Sequence, residues 1–368
     1  MTLDPQGFAS LDDAILHESG WRFGSQPCNT IPMNIPMSRW SRLYETADEI
    51  LALAPWKETF EEDLFAIQPK AGGPVYFVSV MGSQGEHHAI AYYPGMESLS
   101  QFRMSQMEDL PERVALEAIL LNHHLQLPFE PKRNLLPADL KILKSLGKTY
   151  RGKWPAFRSH RPARLPWIPD ALEVEEFEGL LEQTLVVLRR SAEGEDLLRP
   201  FDEPEFYLRK RNGDWEDSTV LVAELPVLHH ILKAELPRDA LAGIPRSGLR
   251  VEADLILMLT PINDVPPGEA PYLPLMLIMV DAASGFVLGF DTISTKEGLD
   301  AAMVRIPDAL TAVLKKAKVV PSQIAARHPI LLSALESYSG AYGIKCEVDY
   351  DLPAASEAIE SMMSFMGQ

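Results

Sequence analysis

The sequence predicts a chain of mixed α+β and α/β class with at least two domains, and three observations carry that expectation. Its 368 residues exceed what one hydrophobic core ordinarily serves. Apolar residues make up 46% and charged residues 23%, a globular balance that excludes disordered, collagen-like and coiled-coil proteins. The third observation is the pattern: β-prone runs mixed with helical stretches before residue 150, and a legible order of strands and helices after residue 249. The partition that follows is an N-terminal arm over 1–37, an α+β domain over 38–150, a basic and aromatic connection with a helix and hairpin over 151–248, and a C-terminal domain over 249–368.

Residues 1–37 are rich in Pro, Gly, Asn and Ser and read as an extended arm. From Trp40, the residues Leu43, Ala47, Ile50, Leu51 and Ala54 share one helical face, stopped by Pro55. The runs 75–81 and 88–93 are expected to form a hairpin joined through Gly82 and Gly85, followed by helices near 110–125 and 137–146. A helix is expected over 173–190, with acidic residues at its start and Arg189 and Arg190 at its end, as the helix dipole favours. Asn212-Gly213 predicts a tight hairpin turn, and His229 and His230 fall on a short helix after it.

Charge is segregated along the chain. Between residues 131 and 165 ten cations face only Asp139, a net +9 that leaves −27 on the remainder of a chain whose total is −18. Tyr150, Trp154, Phe157 and Trp167 interleave with these cations, the composition of a nucleic-acid-binding strip in which Lys153, Trp154, Arg158 and Arg161 would be the contacts. The competing reading is a basic segment docked against acidic parts of its own molecule, its aromatic residues buried, and the opposing −27 favours it.

After residue 249 the order reads βββαβαβα: strands over 249–259, 272–280 and 286–293, a helix opened by a Ser294/Glu297 capping box and kinked at Pro307, a strand at 322–326, a helix from Pro329 to Gly340, a strand at 344–348 and a last helix from Pro353. The meander should pair antiparallel and the later strands parallel. Cys28 and Cys346, more than 300 residues apart, are the usage of a reducing compartment. Residues 273–280 form the longest apolar run, far short of the roughly 20 needed to cross a bilayer, and no signal peptide is legible. A cytoplasmic protein without membrane association is expected, a monomer or a weak homodimer through the Met-rich last helix.

This C-terminal order resembles the ribonuclease-H-like fold of integrases and transposases. The resemblance implies a carboxylate cluster holding Mg²⁺, with Asp254 on the first strand, Asp281 at the head of Asp281-Ala-Ala-Ser284-Gly285, and Glu357 or Glu360 on the last helix. Where such a fold carries its next Asp, however, this chain has Arg327 and His328. The expectation is therefore a degenerate ribonuclease-H-like domain, a non-catalytic binding or scaffold protein without cofactor whose partner is an unknown protein or small ligand. The alternative is a metal-dependent nuclease or transposase-like enzyme with Mg²⁺. Trp40-x-x-Leu43-Tyr44, Tyr76-x-x-Ser-Val-Met81-Gly and Trp154-Pro-x-Phe157-Arg158-Ser-His-Arg-Pro162 also resemble an uncharacterised bacterial family of domains of unknown function. The adjacent pairs His87-His88, His123-His124 and His229-His230 point apart on a strand or helix and are read as solvated or hydrogen-bonded rather than metal-ligating.

Overall fold

A computed structural model describes residues 35–85, 87–107, 112–222 and 239–366. The chain divides into two compact units, residues 1–226 with 264–270, and residues 227–263 with 271–368. The arm before residue 35, Cys28 and the His229-His230 segment lie outside the described residues.

Helix α1 (Met37–Leu53) opens the first unit and ends where Ala54 takes a left-handed conformation ahead of Pro55. Strands β1 (Asp63–Gln68), β2 (Tyr76–Met81), β3 (Ala89–Pro94) and β4 (His124–Pro131) pair antiparallel in succession. Between β3 and β4 lie α2 (Gly95–Ser105) and α3 (Glu112–Leu120). The helix expected to reach residue 125 stops at Leu120, because His124-Leu-Gln-Leu-Pro-Phe-Glu alternates with period two and carries Pro128, which a helix interior excludes.

Helix α4 (Pro137–Leu146) precedes two short strands, β5 (Lys153–Pro155) and β6 (Arg158–His160), which both pair with β4. Then come α5 (Ala171–Ala192), β7 (Arg199–Pro200), β8 (Glu205–Asn212) and β9 (Asp214–Leu221). Strand β8 joins β1 in parallel, giving the order β5-β4-β3-β2-β1-β8-β9. The stretch read from sequence as a connection thus supplies five strands of this sheet. Arg211 faces Trp215 across the β8–β9 hairpin, so Gly213, at φ 80°, forms the apex and the two-residue Asn-Gly turn is not made.

Strand alternation sends Phe65, Ile67, Val78, Tyr92, Leu125 and Leu127 to a face covered by α1, α4 and α5, while Leu64, Ala66, Phe77 and Ala91 meet Leu99 and Phe102 of α2 on the other. Phe157 is the hub of the first face: its ring lies 5.1 Å from Tyr44, 5.3 Å from Phe177 and 5.9 Å from Trp40. Helix α5 is capped by Asp170, whose carboxylate accepts from the Leu172 and Glu173 amides, while Glu173 accepts from the Asp170 amide.

In the second unit β10 (Arg250–Leu257), β11 (Leu275–Asp281) and β12 (Val287–Ile293) form an antiparallel meander. Helices α6 (Leu299–Val304) and α7 (Ile306–Ala317), strand β13 (Gln323–Ala326), helix α8 (Pro329–Tyr342), strand β14 (Lys345–Val348) and helix α9 (Pro353–Met366) follow. Strands β13 and β14 run parallel to β10, completing the order β12-β11-β10-β13-β14. Three local expectations differ. Ser294 bonds the Lys296 amide in a turn, and the helix starts later, after Gly298. Pro307 marks a break between two helices rather than a kink, sitting in the first turn of α7 where its missing N–H costs nothing. Helix α8 runs through Gly340 and ends at Gly343, whose φ of 63° supplies the left-handed cap.

The Arg158 guanidinium, 2% exposed, donates to both oxygens of buried Asp139 at 3.0 and 2.7 Å, and that carboxylate also accepts from the Leu136 amide at the start of α4. Arg158→Ala is expected to cost about 3–5 kcal/mol in urea unfolding, because it strands a buried charge; a loss under 1 kcal/mol would show that α4 is held without the pair.

Candidate functional site

Along β10 the charged residues Arg250, Glu252 and Asp254 recur with period two, so all three stand on the face that α9 covers, with Ile256 beyond them. Asp254 is 2% exposed. Its Oδ2 accepts from Arg327 Nη2 at 2.6 Å and Nε at 3.1 Å, and Arg327 Nη2 also lies 3.4 Å from Ser356 Oγ on α9. Glu252 accepts the Ala355 amide at 2.9 Å, placing a carboxylate on the N-terminal turn of α9, where the helix dipole favours it. Arg250 then ties Glu252 to Glu347 on β14 and to Asp349. The result is a cross-sheet ion-pair network that seats the last helix.

Asp281 stands apart from this cluster. It faces Val251 in the register, whereas Asp254 faces Ile278, so the two aspartates project from opposite faces of the sheet. The Asp281 carboxylate takes the Ser284 hydroxyl and the Ala283 amide, a turn-forming role. Glu357 and Glu360 are exposed on α9, away from the Ala355 and Ile359 face that packs on the sheet. The four carboxylates singled out in the sequence therefore do not converge. Among the described residues no group of three His, Cys, Asp or Glu side chains could hold a metal ion.

Four cations of the basic segment are committed to internal acids. Arg158 is spent on Asp139, Arg161 pairs with Asp170 and Glu173, Lys148 with Asp48, and Arg164 with Glu269 and the Ala270 carbonyl. Trp154 is 7% exposed, with the Lys132 ammonium 5.1 Å from its ring. Phe157 and Trp167 are buried, and the Trp167 indole donates to the Gly268 carbonyl at 2.8 Å. Of the three cations among the proposed nucleic-acid contacts, Lys153 alone is without an acidic partner among the described residues.

Two histidine environments were not legible in the sequence. His124 on β4 and His160 on β6 lie opposite one another, their rings stacked at 4.0 Å. Both are buried, and among the described residues His160 Nε2 has no hydrogen-bond partner. Burial pushes the His124 imidazole down to about 3, with the Asn122 carbonyl acting in the opposite sense, and holds His160 well below its ordinary range, with His124 adding to the shift. His87 meets Glu130 at 3.5 Å, while neighbouring His88 packs edge-on to Trp56 and takes the Lys153 ammonium, so the members of this pair serve different partners.

A neutral, buried histidine pair makes stability depend on acid in one direction. The unfolded chain binds protons below its histidine pKa of about 6.5 while the folded pair does not, so stability is full above that pH and is lost as pH falls toward 3. Urea unfolding at pH 7 and pH 5 should show it, and His160→Asn should flatten the slope; an unchanged slope would place the acid sensitivity elsewhere. Titration with single-stranded and duplex oligonucleotides at 50 mM salt should give no micromolar binding, since Arg158, Arg161 and Arg164 are neutralised by internal acids. Tight, salt-sensitive binding abolished by Lys153→Glu would contradict this.

No curated protein and no solved structure matches the chain. Family models match both units. Residues 40–209 match a domain of unknown function, DUF7309, and residues 240–363 match a second, DUF6930, so two domains of unknown function account for most of the chain.

Proposed function

We propose that the chain is a non-catalytic binding or scaffold protein whose second unit is a degenerate ribonuclease-H-like domain, acting in a bacterial cytoplasm on a protein or small-ligand partner. The observation that carries the reading is the Arg327 guanidinium on Asp254. Two-metal phosphoryl transfer needs carboxylates converging on a pair of cations about 4 Å apart. Here the strand carboxylate already has its cation, covalently part of the chain, and the other carboxylate on that face, Glu252, is bound to the amide of Ala355 and to Arg250. The three-strand meander followed by alternating helices and parallel strands supports the fold assignment. No helix among the described residues is long and apolar enough to cross a membrane.

The test is a cleavage assay on labelled single-stranded and duplex DNA and RNA in Mg²⁺ or Mn²⁺, run on the full chain and on Asp254→Asn. The expected result is no cleavage that distinguishes the two proteins. Cleavage by the parent chain that Asp254→Asn abolishes would overturn the proposal.

A further inference from the structure

Strand β12 is one edge of the second sheet and, among the described residues, pairs only with β11. Its two faces differ. A Cβ on Gly289 would stand 3.2 Å from Val313 Cγ1, so α7 covers that face closely. On the other face α9 packs over β10 and β11, and Phe290, which faces Ile278 in the register, is left 52% exposed. Ser356 reaches Arg327 at the end of β13, which turns that flank of α9 towards β13. At about 100° per residue, Ala358 and Phe365 then lie on the opposite flank, towards β12, and Phe365 is 84% exposed. Glu360 falls on the Ser356 flank and Glu357 on the outer face, so the strip of Val287, Phe290, Met362 and Phe365 carries no charge.

The geometry points to a second copy of this chain as the occupant of this edge: β12 pairs antiparallel with itself about a twofold axis at Phe290, and the chain forms a homodimer. The inference does not rest on whether the second unit is catalytic. A twofold contact needs one patch complementary to itself, and an unpaired strand edge is such a patch. Side-chain chemistry sets the position of the axis. Beyond the bulge at Leu288, residues 289–293 run regularly. Centred on Asp291, the pairing would set two carboxylates opposite one another, whereas centred on Phe290 it sets ring beside ring and Asp291 opposite the second copy's Gly289.

Charge and area both bear on the occupant. A chain of net charge −18 repels its own copy at long range, and physiological salt screens that repulsion beyond about 8 Å, so an uncharged strip is where two copies can meet. The opposite edge, β14, is four residues long and carries Lys345 and Glu347, the charges that ordinarily blunt a strand edge, while β12 has neither Lys nor Pro. At about 200 Å² for a fully exposed ring, Phe290 and Phe365 together offer about 270 Å² per copy, a third of the ~800 Å² a side of a standard interface. The strand backbone and Met362 add to this. The contact is small, and a micromolar rather than nanomolar dimer follows.

Sedimentation velocity on the full chain from about 2 to 200 µM should show a monomer passing to a dimer, with a Kd that falls several-fold between 50 and 500 mM NaCl as repulsion is screened. Phe290→Lys and Phe365→Asp, both at exposed positions, should each raise that Kd at least tenfold while circular dichroism shows an unchanged fold. Hydrogen exchange locates the contact: the amides of 287–293 should exchange more slowly at the higher protein concentration, and those of 345–348 equally at both. A monomer at 200 µM would overturn the inference and leave the edge to a different partner. A dimer that salt dissolves, as when the basic segment meets an acidic face, or one that both variants leave intact, would overturn it equally.

Discussion

A charge taken out of water must find its counter-charge at hydrogen-bonding distance, and Arg158 beside Asp139 is where the first unit meets that demand. The pair joins β6 to the first turn of α4, and Phe157, immediately before it, is packed between α1 and α5. The strand carrying Arg158 and His160 therefore cannot leave the edge of β4 without exposing an aromatic cluster and separating an ion pair in an apolar setting. A segment whose composition suggests a free strip is for that reason an integral part of a sheet.

The same constraint decides the second unit. Three charged residues on one face of β10 would be untenable in a buried strand, and each is answered: Arg250 by Glu347 and Asp349, Glu252 by the α9 amide, Asp254 by Arg327. Together they fix the N-terminal turn of α9 over the sheet, and Ile359 and Ala355 complete the contact with apolar surface. Carboxylates engaged in this way help to seat α9 on the sheet.

Lys153 is the exception that the constraint makes visible. Its positive neighbours have found acids, rings or solvent, whereas its own partners are an imidazole and an indole. Burial lowers the Lys153 amine from its ordinary range, and among the described residues no carboxylate answers it, in contrast with Arg161, which lies on the same basic segment between two acids.

Much of the secondary structure was legible in the sequence, because periodicity and local stop signals are properties of adjacent residues. Trp40 to Ala54 reads as a helix, the 75–93 hairpin as a hairpin, and the meander and alternating elements after residue 249 as a mixed sheet. Strands β1, β4, β5 and β6 were missed: β5 and β6, three residues each, are defined by partners rather than by their own pattern, and Pro128 and Pro155 disguised β4 and β5. Carboxylates could be enumerated but not assembled. The period-two spacing of Arg250, Glu252 and Asp254 was a readable signal that one face of β10 is charged, while the choice of Arg327 as the partner of Asp254 depends on a parallel pairing between residues 73 positions apart. Sequence determined which side chains carry charge and which face of an element each occupies, because those follow from local geometry. Only the tertiary structure decided which charges neutralise one another, because Coulomb attraction and desolvation depend on distances across the fold that no local pattern encodes.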